Sequence, residues 1–354
     1  MSAATSPLID AAARERLTSW LAGALGASAV RLAVAEKLAG GAVQENWSLD
    51  VDVAGGTHAG RQALVLRSDA ASHLSVSLDR AAEFAVLKAA HAAGAAVAEP
   101  LARCSDASVL GRPFLIQRRM PGIAQARRLV RDPELPKYGD ALAEQLGEAL
   151  ARIHAMKPPR PELSALPIPM LAPARAEVAK YRAALDEASE PRPALEYVLA
   201  WLDRNAPDKG EITLVHGDYR TGNYLVDGGN LSAVLDWEFA HWGDPNEDIG
   251  WLMARCWRFG NDDRETGGIG ARAAFYRGYA RVAGRPVDAA IIPYWEIMAA
   301  AKWAMIAVLQ GDRFRIGGED SMELALTGLM VPEMELDALD GIAGIEARRK
   351  GVRR

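Results

Sequence analysis

Two polar segments, separated by two short apolar runs, hold the residue types with the clearest chemistry in this chain. The first includes His216, Asp218 and Asn223, and the second begins at Asp236. Transfer of a terminal phosphoryl group needs a carboxylate that accepts the proton of the attacking hydroxyl, and oxygen ligands that hold Mg²⁺ on the phosphates. Asp218 is the candidate base, and Asn223 and Asp236 are candidate metal ligands, because Mg²⁺ prefers oxygen donors. The segments therefore indicate ATP- and Mg²⁺-dependent phosphotransfer.

The sequence between these segments predicts how they are connected. It consists of the apolar run 224–226, the turn-forming run Asp-Gly-Gly-Asn at 227–230 and a second apolar run that ends at Leu235. This order is typical of a β-hairpin. Such a hairpin would return Asp236 to the side of Asn223, where both oxygens could bind one metal ion.

Each segment alone has a structural interpretation. A single His-x-Asp sequence is common and usually structural, and an Asp-Trp pair usually caps a turn or fills a core. Both segments in this order and at this spacing would occur by chance much less often than either segment alone. The catalytic interpretation is therefore favoured. His216 itself is interpreted as structural, because a neutral imidazole both donates and accepts hydrogen bonds and can brace the loop.

The order His-Gly-Asp, four residues, Asn, then Asp-Trp-Glu resembles the aminoglycoside phosphotransferase and choline kinase group. The stretch from His216 to Arg220, with the Asp-Trp-Glu at 236–238 and the run 243–248, is most similar to the phosphotransferase domain also found fused to acyl-CoA dehydrogenases. The resemblance covers about residues 30 to 310. It implies an α+β, bilobal, protein-kinase-like fold, with a small antiparallel-sheet N-lobe at 1–120 and a larger, mainly helical C-lobe at 121–354.

The patterns along the chain agree with this division. Alternating apolar residues predict strands, and apolar residues at helical spacing predict helices. Two segments rich in proline or glycine, 158–169 and 260–270, are expected to be loops. Asp248 precedes an apolar run and is expected to cap a helix that begins at residue 249. The predicted strands are Val30–Ala39, Glu45–Val53, Ala63–Ser68 and Phe114–Arg119, and the first helices are Ile9–Leu25, Leu78–Ala93 and Tyr138–Met156.

A glycine pair in the small lobe, Gly40 and Gly41, lies between the first two predicted strands. Glycine there would let backbone N–H groups approach phosphate oxygens. A plain hairpin turn explains the pair equally well when it is taken alone. The predicted catalytic loop elsewhere in the chain favours phosphate contact.

The resemblance also implies a phosphate-binding cation on the third predicted strand. Arg67 ends that strand where this group usually has lysine or arginine, and Glu83 follows on the next helix. A Glu83–Arg67 pair would hold the guanidinium against the phosphates, although its planar fork differs from a lysine ammonium. Arg80 is a competing partner for Glu83, and a surface position for both residues is the alternative.

Recognition of adenine in this group relies on backbone groups of the connector between the lobes. The resemblance assigns these groups to the Arg118 carbonyl and the Met120 amide. The paired arginines at 118 and 119 stand where an acidic residue is common in the group, which leaves ATP or another nucleotide open.

The acceptor site is the least specified part of the sequence. Candidate lining residues are Arg220, Glu238, Arg255 and Arg258, with packing and surface pairing as alternatives. The mixture of arginine and aromatic residues at 254–259 suits an anionic or apolar acceptor, and the resemblance points to a hydroxyacyl-CoA. An aminoglycoside or choline-type kinase is the second hypothesis. A non-catalytic pseudokinase that binds a ligand is the third, and the complete base and metal set argues against it.

The bulk properties narrow the class of partner. The chain has 354 residues and a formal net charge of −5, so it provides no basic field for nucleic acid or for an anionic membrane surface. A small molecule with a hydroxyl group is the expected partner, and the sequence does not predict an oligomeric state.

Three further features concern metals, location and membranes. Cys104 and Cys256 lack metal-ligand spacing. Charged residues interrupt the apolar N-terminal segment, so a cytoplasmic location is expected. The apolar run 289–309 contains Glu296 and Lys302 and is expected to be a buried helix.

Overall fold

The computed structural model describes residues 10–38, 44–69, 77–208 and 210–351. The chain divides into two compact units. The first comprises the described part of Met1–Gly122 with Pro161–Ala165 and Ser232–Ala240, and the second comprises Ile123–Arg160, Leu166–Leu231 and His241–Arg354. The expected division at 120/121 lies close to the first of these boundaries. The two later segments of the first unit, one of which contains Asp236, were not foreseen.

The first unit is built on a five-stranded antiparallel sheet with the order β1-β2-β3-β5-β4. Two helices and a short third one accompany it. Its strands are β1 (Ala29–Lys37), β2 (Gln44–Ala54), β3 (Gly60–Asp69), β4 (Pro100–Cys104) and β5 (Phe114–Arg118), and its helices are α1 (Ala11–Ala24), α2 (Arg80–Ala92) and α3 (Ala107–Leu110).

The core of this unit lies between α1 and one face of the sheet. Leu17 and Leu21 of α1 are fully buried in the same apolar cluster as Leu64 and Leu66 of β3. Side chains of a strand alternate between its two faces. Arg67 therefore projects from the face of β3 opposite to Leu64 and Leu66, away from the apolar cluster.

The second unit is mainly helical. α5 packs along α9, and α10 packs against α8, α11 and α12. Its helices are α4 (Ala126–Val130), α5 (Leu135–His154), α6 (Pro173–Asp186), α7 (Pro193–Arg204), α8 (Pro245–Met253), α9 (Arg272–Ala283), α10 (Ile292–Arg315), α11 (Met322–Gly328) and α12 (Val331–Arg349), and its strands β6 (Thr213–Val215) and β9 (His241–Gly243) pair antiparallel.

The hairpin predicted before Asp236 is present. β7 (Tyr224–Asp227) and β8 (Asn230–Val234) form a two-stranded sheet with Gly228 and Gly229 at the turn. The boundary between the two units falls within β8, after Leu231. A small antiparallel-sheet unit and a larger helical unit confirm the predicted α+β class.

Helix α10 is long and apolar enough to cross a membrane by length and composition, with a mean hydropathy of 1.2 over its most apolar window. In the structure, 67% of that window is buried. Its buried side chains, among them Trp295, Met298 and Met305, lie in the apolar cluster that α6, α7 and α12 also supply. The expectation that this run forms a buried helix is confirmed.

Candidate functional site

In the first unit, the predicted Arg67–Glu83 pair is present. Arg67 Nη1 lies 3.2 Å from Glu83 Oε1, and Arg67 Nη2 donates to Asp236 Oδ1 at 3.0 Å. Arg67 is 4% exposed and Glu83 is fully buried, so the surface alternative is wrong. The cation on β3 thus connects the carboxylate of α2 to the candidate metal ligand Asp236.

The local charges keep this guanidinium ionised. Burial alone would lower the pKa of Arg67, but the neighbouring carboxylates of Glu83, Asp236 and Glu238 outweigh it and raise the pKa. A permanently charged, buried fork can hold two carboxylates in fixed directions.

Arg80 also pairs with Glu83, as the competing interpretation expected. Arg80 Nη1 donates to Glu83 Oε2, and Arg80 Nη2 lies 3.9 Å from Glu238 Oε2. Glu83 is therefore shared by two arginines, one on each oxygen. Glu238, a candidate acceptor residue, is buried beside Arg80, and its backbone carbonyl accepts from Leu78 N–H at 2.7 Å.

The backbone at Asp236 is unusual. Asp236 has φ 59° and ψ 63°, the left-handed region that non-glycine residues seldom adopt, and its side chain is 45% exposed. Conformations of this kind cost free energy and persist where the surroundings hold them, often at functional sites. The bond from Arg67 is one such constraint, and it leaves Asp236 Oδ2 for another ligand.

In the second unit, Asp218 is held by three side chains. Its Oδ1 accepts from Trp251 Nε1–H at 2.7 Å and from Arg220 Nε–H at 3.0 Å. Its Oδ2 accepts from the Asn223 amide at 2.5 Å. Each carboxylate oxygen has two acceptor positions. Oδ2 therefore retains one position that a substrate hydroxyl could use.

These contacts also fix the orientation of Asn223. A carboxylate only accepts hydrogen bonds, so the NH₂ end of Asn223 faces Asp218, and it also donates to the Asp218 backbone carbonyl at 3.0 Å. The carbonyl oxygen of Asn223 is then directed elsewhere and is the atom available to a metal ion. Asn223 belongs to the second unit and Asp236 to the first, and their common Mg²⁺ stays a prediction.

The loop before Asp218 is braced from α8. Asp248 accepts from the backbone N–H groups of His216 and Gly217 at 2.6 and 2.9 Å, and it also bonds His154 Nε2 at 3.1 Å. Burial would raise the pKa of Asp248, but the hydrogen bond from His154 and its charge lower it. The carboxylate is therefore ionised where it accepts these bonds.

Two expectations about this loop have different outcomes. His216 Nδ1 accepts from the Asp218 N–H at 3.2 Å, so the bracing role of His216 is confirmed. The capping role of Asp248 is wrong, because α8 begins at Pro245 and its cap is Asp244, which accepts from Asn246 N–H at 2.8 Å. Asp248 lies inside the first turn, and its side chain points at the loop instead.

Sequence reasoning missed two residues next to Asp218. Trp251 lies one helical turn after Asp248 on α8, a spacing that places both on one face. Lys302 of α10 donates to the Gly217 carbonyl at 2.6 Å and lies over the Trp251 ring, 4.6 Å from its centroid. Trp251 could have been found from the i, i+3 spacing, whereas Lys302 comes from a distant helix and left no local signal.

The candidate acceptor arginines already have partners. The Arg220 guanidinium lies 4.4 Å from the Trp257 ring centroid. Arg255 pairs with Asp262 and Asp337, both at 3.2 Å. Arg258 donates three hydrogen bonds to two backbone carbonyls, two to that of Met253 and one to that of Asp262. Of the three, Arg220 is the one that also contacts Asp218.

Of the predicted nucleotide-binding positions, Arg118 and Met120 lie within the described residues. Gly40 and Gly41 lie outside the described residues. Arg118 ends β5, its N–H donates to the Glu99 carbonyl, and its side chain reaches Glu99 and Gln62. Met120 follows in the connector and is partly buried. Their contact with adenine stays a prediction.

Replacing Trp251 with phenylalanine is expected to lower kcat about tenfold. The change removes one hydrogen bond to a charged group, a loss of about 1.5 kcal/mol that corresponds to about a factor of ten in rate. Steady-state ADP formation measures it. Trp295→Phe is the matched control, since Trp295 is buried in the apolar cluster of α10 and, within the described residues, its indole N–H donates to no acceptor. Equal losses in both variants would contradict the role of the Trp251 hydrogen bond.

Comparison with known proteins places this arrangement in a family. The model of the phosphotransferase enzyme family matches residues 34–285. Mouse acyl-CoA dehydrogenase family member 10 is 29% identical over 65% of this chain, and chicken acyl-CoA dehydrogenase family member 11 is 33% identical over 54% of it. The chain covers only 22% and 25% of the lengths of these relatives.

Solved structures show the same fold. A Ralstonia eutropha protein assigned to the aminoglycoside phosphotransferases has a TM-score of 0.74 and 22% identity, and the match covers 92% of this chain and 97% of that one. A choline/ethanolamine kinase family protein from Mesorhizobium loti has a TM-score of 0.54 and 17% identity, covering 86% and 87%. These likenesses confirm the predicted protein-kinase-like fold. With a family model that matches most of its length, the chain belongs to the phosphotransferase enzyme family.

Proposed function

We propose that this protein transfers the γ-phosphoryl group of ATP to a hydroxyl group of a small molecule. The observation that carries the proposal is the set of hydrogen bonds to Asp218. Trp251, Arg220 and Asn223 fix both oxygens of this carboxylate and leave one acceptor position on Oδ2. A carboxylate held in this way can orient an attacking hydroxyl and accept its proton.

Magnesium fits the donor set that these residues offer. Asn223 supplies a carbonyl oxygen, and its hydrogen bond to Asp218 fixes the direction of that oxygen. Asp236 supplies Oδ2, while Arg67 donates to its other carboxylate oxygen, Oδ1. These are the hard oxygen donors that Mg²⁺ prefers. When bound, the ion would neutralise charge on the phosphates. Two such oxygen donors in one chain are more than a ligand-binding pseudokinase requires.

ATP is the proposed donor, on two grounds. Arg67 is a buried and permanently charged fork of the type that binds phosphate oxygens. One of the solved structures with the same fold, aminoglycoside phosphotransferase APH(4)-Ia, was determined with AMP-PNP and hygromycin B, with a TM-score of 0.54 to this chain.

For the acceptor, we propose a hydroxyacyl-CoA. The relatives in mouse and chicken bear the name acyl-CoA dehydrogenase, which favours an acyl-CoA thioester over a sugar antibiotic. The residues near Asp218 agree with an acceptor that has an apolar part, because Trp251, Trp257 and Trp303 lie in contact in this region, with ring centroids 5.1 and 5.0 Å apart. Arg220, which lies against Trp257, provides a positive charge next to the base.

An assay of ADP release with a panel of acceptors tests both levels of the proposal. The panel contains hydroxyacyl-CoAs, the matching free hydroxy acids, acyl-CoAs without the hydroxyl, an aminoglycoside and choline. Release that requires both the hydroxyl and the CoA moiety is expected. Turnover of an aminoglycoside or choline alone would contradict the proposed hydroxyacyl-CoA acceptor but support the proposed phosphotransferase activity. ATP binding without turnover of any member of the panel would favour the pseudokinase.

Replacing Arg67 is expected to lower kcat/KM for ATP at least tenfold. Arg67→Ala removes a phosphate-binding fork and also the hydrogen bond that holds Asp236. Arg67→Lys should recover only part of the loss, because one ammonium cannot reproduce two parallel contacts. Initial rates at varied ATP concentration measure both parameters.

Arg61→Ala is the matched control for this prediction. Arg61 lies on the same strand but is largely exposed, in a long surface pair with Asp50 at 3.4 Å, which contributes little to stability. Glu83→Gln should have a milder effect than Arg67→Ala, because it keeps an acceptor for Arg80 and Arg67. An Arg67→Ala enzyme with the ATP dependence of Arg61→Ala would contradict the assignment.

A further inference from the structure

A second group of ligand-type side chains lies in the helical unit. Glu177 of α6, His241 of β9 and Glu247 of α8 each direct one donor atom to a common point, and these atoms lie within 4.8 Å of one another. His241 Nε2 is 3.2 Å from Glu247 Oε2 and 4.0 Å from Glu177 Oε1. Three donors from three separate elements converge here.

The remaining carboxylate oxygens are held from outside the group. Glu177 Oε2 accepts from the Tyr181 hydroxyl at 2.7 Å and lies 3.5 Å from Lys180 Nζ. Glu247 Oε1 lies 3.5 Å from Lys302 Nζ. Each carboxylate therefore has one oxygen oriented by an outer partner and the other directed at His241. Metal-binding carboxylates are commonly oriented by such outer partners.

Glu247 is the most constrained of the three. It is 5% exposed, and its Oε1 accepts no hydrogen bond within the described residues, although the Lys302 ammonium is near. A buried charged group with incomplete hydrogen bonding is costly unless a further partner compensates it. The Lys302 ammonium faces this oxygen, while Oε2, the donor atom of the group, faces His241.

Gly243 keeps the space between the donors open. A Cβ at this position would lie 3.0 Å from His241 Nε2, 3.0 Å from Val215 Cγ2 and 3.2 Å from Glu247 Oε2, so two of its three nearest neighbours are donor atoms of the group. Its φ is not positive, so the backbone conformation does not explain the glycine. A cavity of about 260 Å³ adjoins the group, and Glu177, His241, Gly243 and Glu247 all line it.

We propose that Glu177, His241 and Glu247 form a binding site for a divalent transition-metal ion, Zn²⁺ in particular. One imidazole nitrogen and two carboxylate oxygens are donors that Zn²⁺ accepts, whereas Mg²⁺ favours oxygen donors alone. The adjoining cavity would leave room for a fourth ligand. The nearby ammonium groups of Lys180 and Lys302 favour an anion from solvent there.

Binding has a defined proton balance. In the metal-free protein, His241 Nε2–H donates to the Glu247 carboxylate. The metal ion needs the lone pair of that nitrogen, so an imidazolium ring releases its Nε2 proton to solvent, whereas a neutral ring moves the proton to Nδ1. No bond to carbon changes and no electron is transferred.

Titration of the full chain with Co²⁺ and Zn²⁺ tests the site. After removal of metals with a chelator, Co²⁺ should give the intense visible absorption of a four-coordinate centre, and Zn²⁺ should displace it with a stoichiometry of one ion per chain. His241→Asn and Glu247→Gln should weaken Zn²⁺ binding at least about 100-fold, since loss of an outer partner already costs 10-fold to 100-fold. Excess Mg²⁺ should not compete.

Two further variants keep the test decisive. Gly243→Ala removes no donor but fills the space beside two of them, so it should weaken Zn²⁺ binding as well. Asp186→Asn changes an exposed carboxylate on the same helix as Glu177 and should bind Zn²⁺ like the unmodified chain. Circular dichroism without metal confirms that each variant is folded. Wild-type binding no tighter than that of folded His241→Asn, or an octahedral Co²⁺ spectrum only, would overturn the proposal.

Discussion

Replacement of Asp236 with alanine is expected to abolish phosphoryl transfer. The carboxylate is the proposed Mg²⁺ ligand that Arg67 holds at 3.0 Å, and the change removes that ligand completely. Activity of the unmodified protein should depend on Mg²⁺ or Mn²⁺ and disappear in excess EDTA. ADP formation at several metal concentrations measures both effects. A loss of three or more orders of magnitude in kcat is expected, since charge neutralisation at the phosphates is a main part of this catalysis.

The backbone at Asp236 requires a second variant. Alanine is disfavoured at φ 59°, whereas asparagine tolerates this region and keeps one oxygen donor. Asp236→Asn should therefore fold normally and show a weakened, but measurable, metal dependence. Asp227→Ala, at the exposed end of β7, is the matched control for loss of a carboxylate. Full activity of Asp236→Ala in EDTA would show that the assignment of this ligand is wrong.

Local patterns were sufficient for most of the sequence-based prediction. The glycine pair between two apolar runs predicted the β7–β8 hairpin, because a tight turn depends only on its own few residues. The Arg67–Glu83 pair was implied by the family resemblance and not by a local pattern, and it is present at 3.2 Å. Strand β4 begins with a proline and is short, and it was not predicted.

Contacts between elements that lie far apart in the sequence could not be predicted from the sequence. Trp251 and Lys302 meet at the Asp218 loop because α8 and α10 pack together, and no spacing in either helix encodes the Lys302 hydrogen bond to Gly217. Asp248 shows a related failure. An acidic residue before an apolar run satisfies the rule for a helix cap, but Asp244 begins the helix one turn earlier, which frees the Asp248 carboxylate to bind the loop.

Two carboxylates of the same helix have different partners, which local rules do not distinguish. Asp248 accepts hydrogen bonds from backbone N–H groups of the loop before Asp218, while its neighbour Glu247 faces His241 and Lys302. Adjacent residues on a helix point in different directions. One turn of α8 therefore contributes to the proposed catalytic loop and to the proposed metal site. Both sites depend on the packing of α8 against α10, and neither follows from the residues of α8 alone.

Replacement of Asp218 with asparagine is expected to lower kcat about 10²–10⁴-fold with little change in ATP affinity, because the change removes the proposed general base. The amide also disturbs its neighbour. Asp218 Oδ2 accepts from the Asn223 NH₂ group at 2.5 Å, and an NH₂ group at that position would oppose another donor. Asn223 would then turn its carbonyl oxygen towards residue 218 and away from the metal.

The two consequences of Asp218→Asn can be separated by experiment. Loss of the base alone lowers kcat at every Mg²⁺ concentration, whereas reorientation of Asn223 also raises the concentration of Mg²⁺ needed for half-maximal rate. Trp251→Phe is the control, because it removes a donor from Oδ1 but leaves the carboxylate and its bond to Asn223. Calorimetric titration with AMP-PNP measures nucleotide affinity independently of turnover. A kcat within a few-fold of the unmodified protein would show that Asp218 is not the base. Asp218 is the one carboxylate in residues 216–223, so no other residue of this loop could replace it as the base.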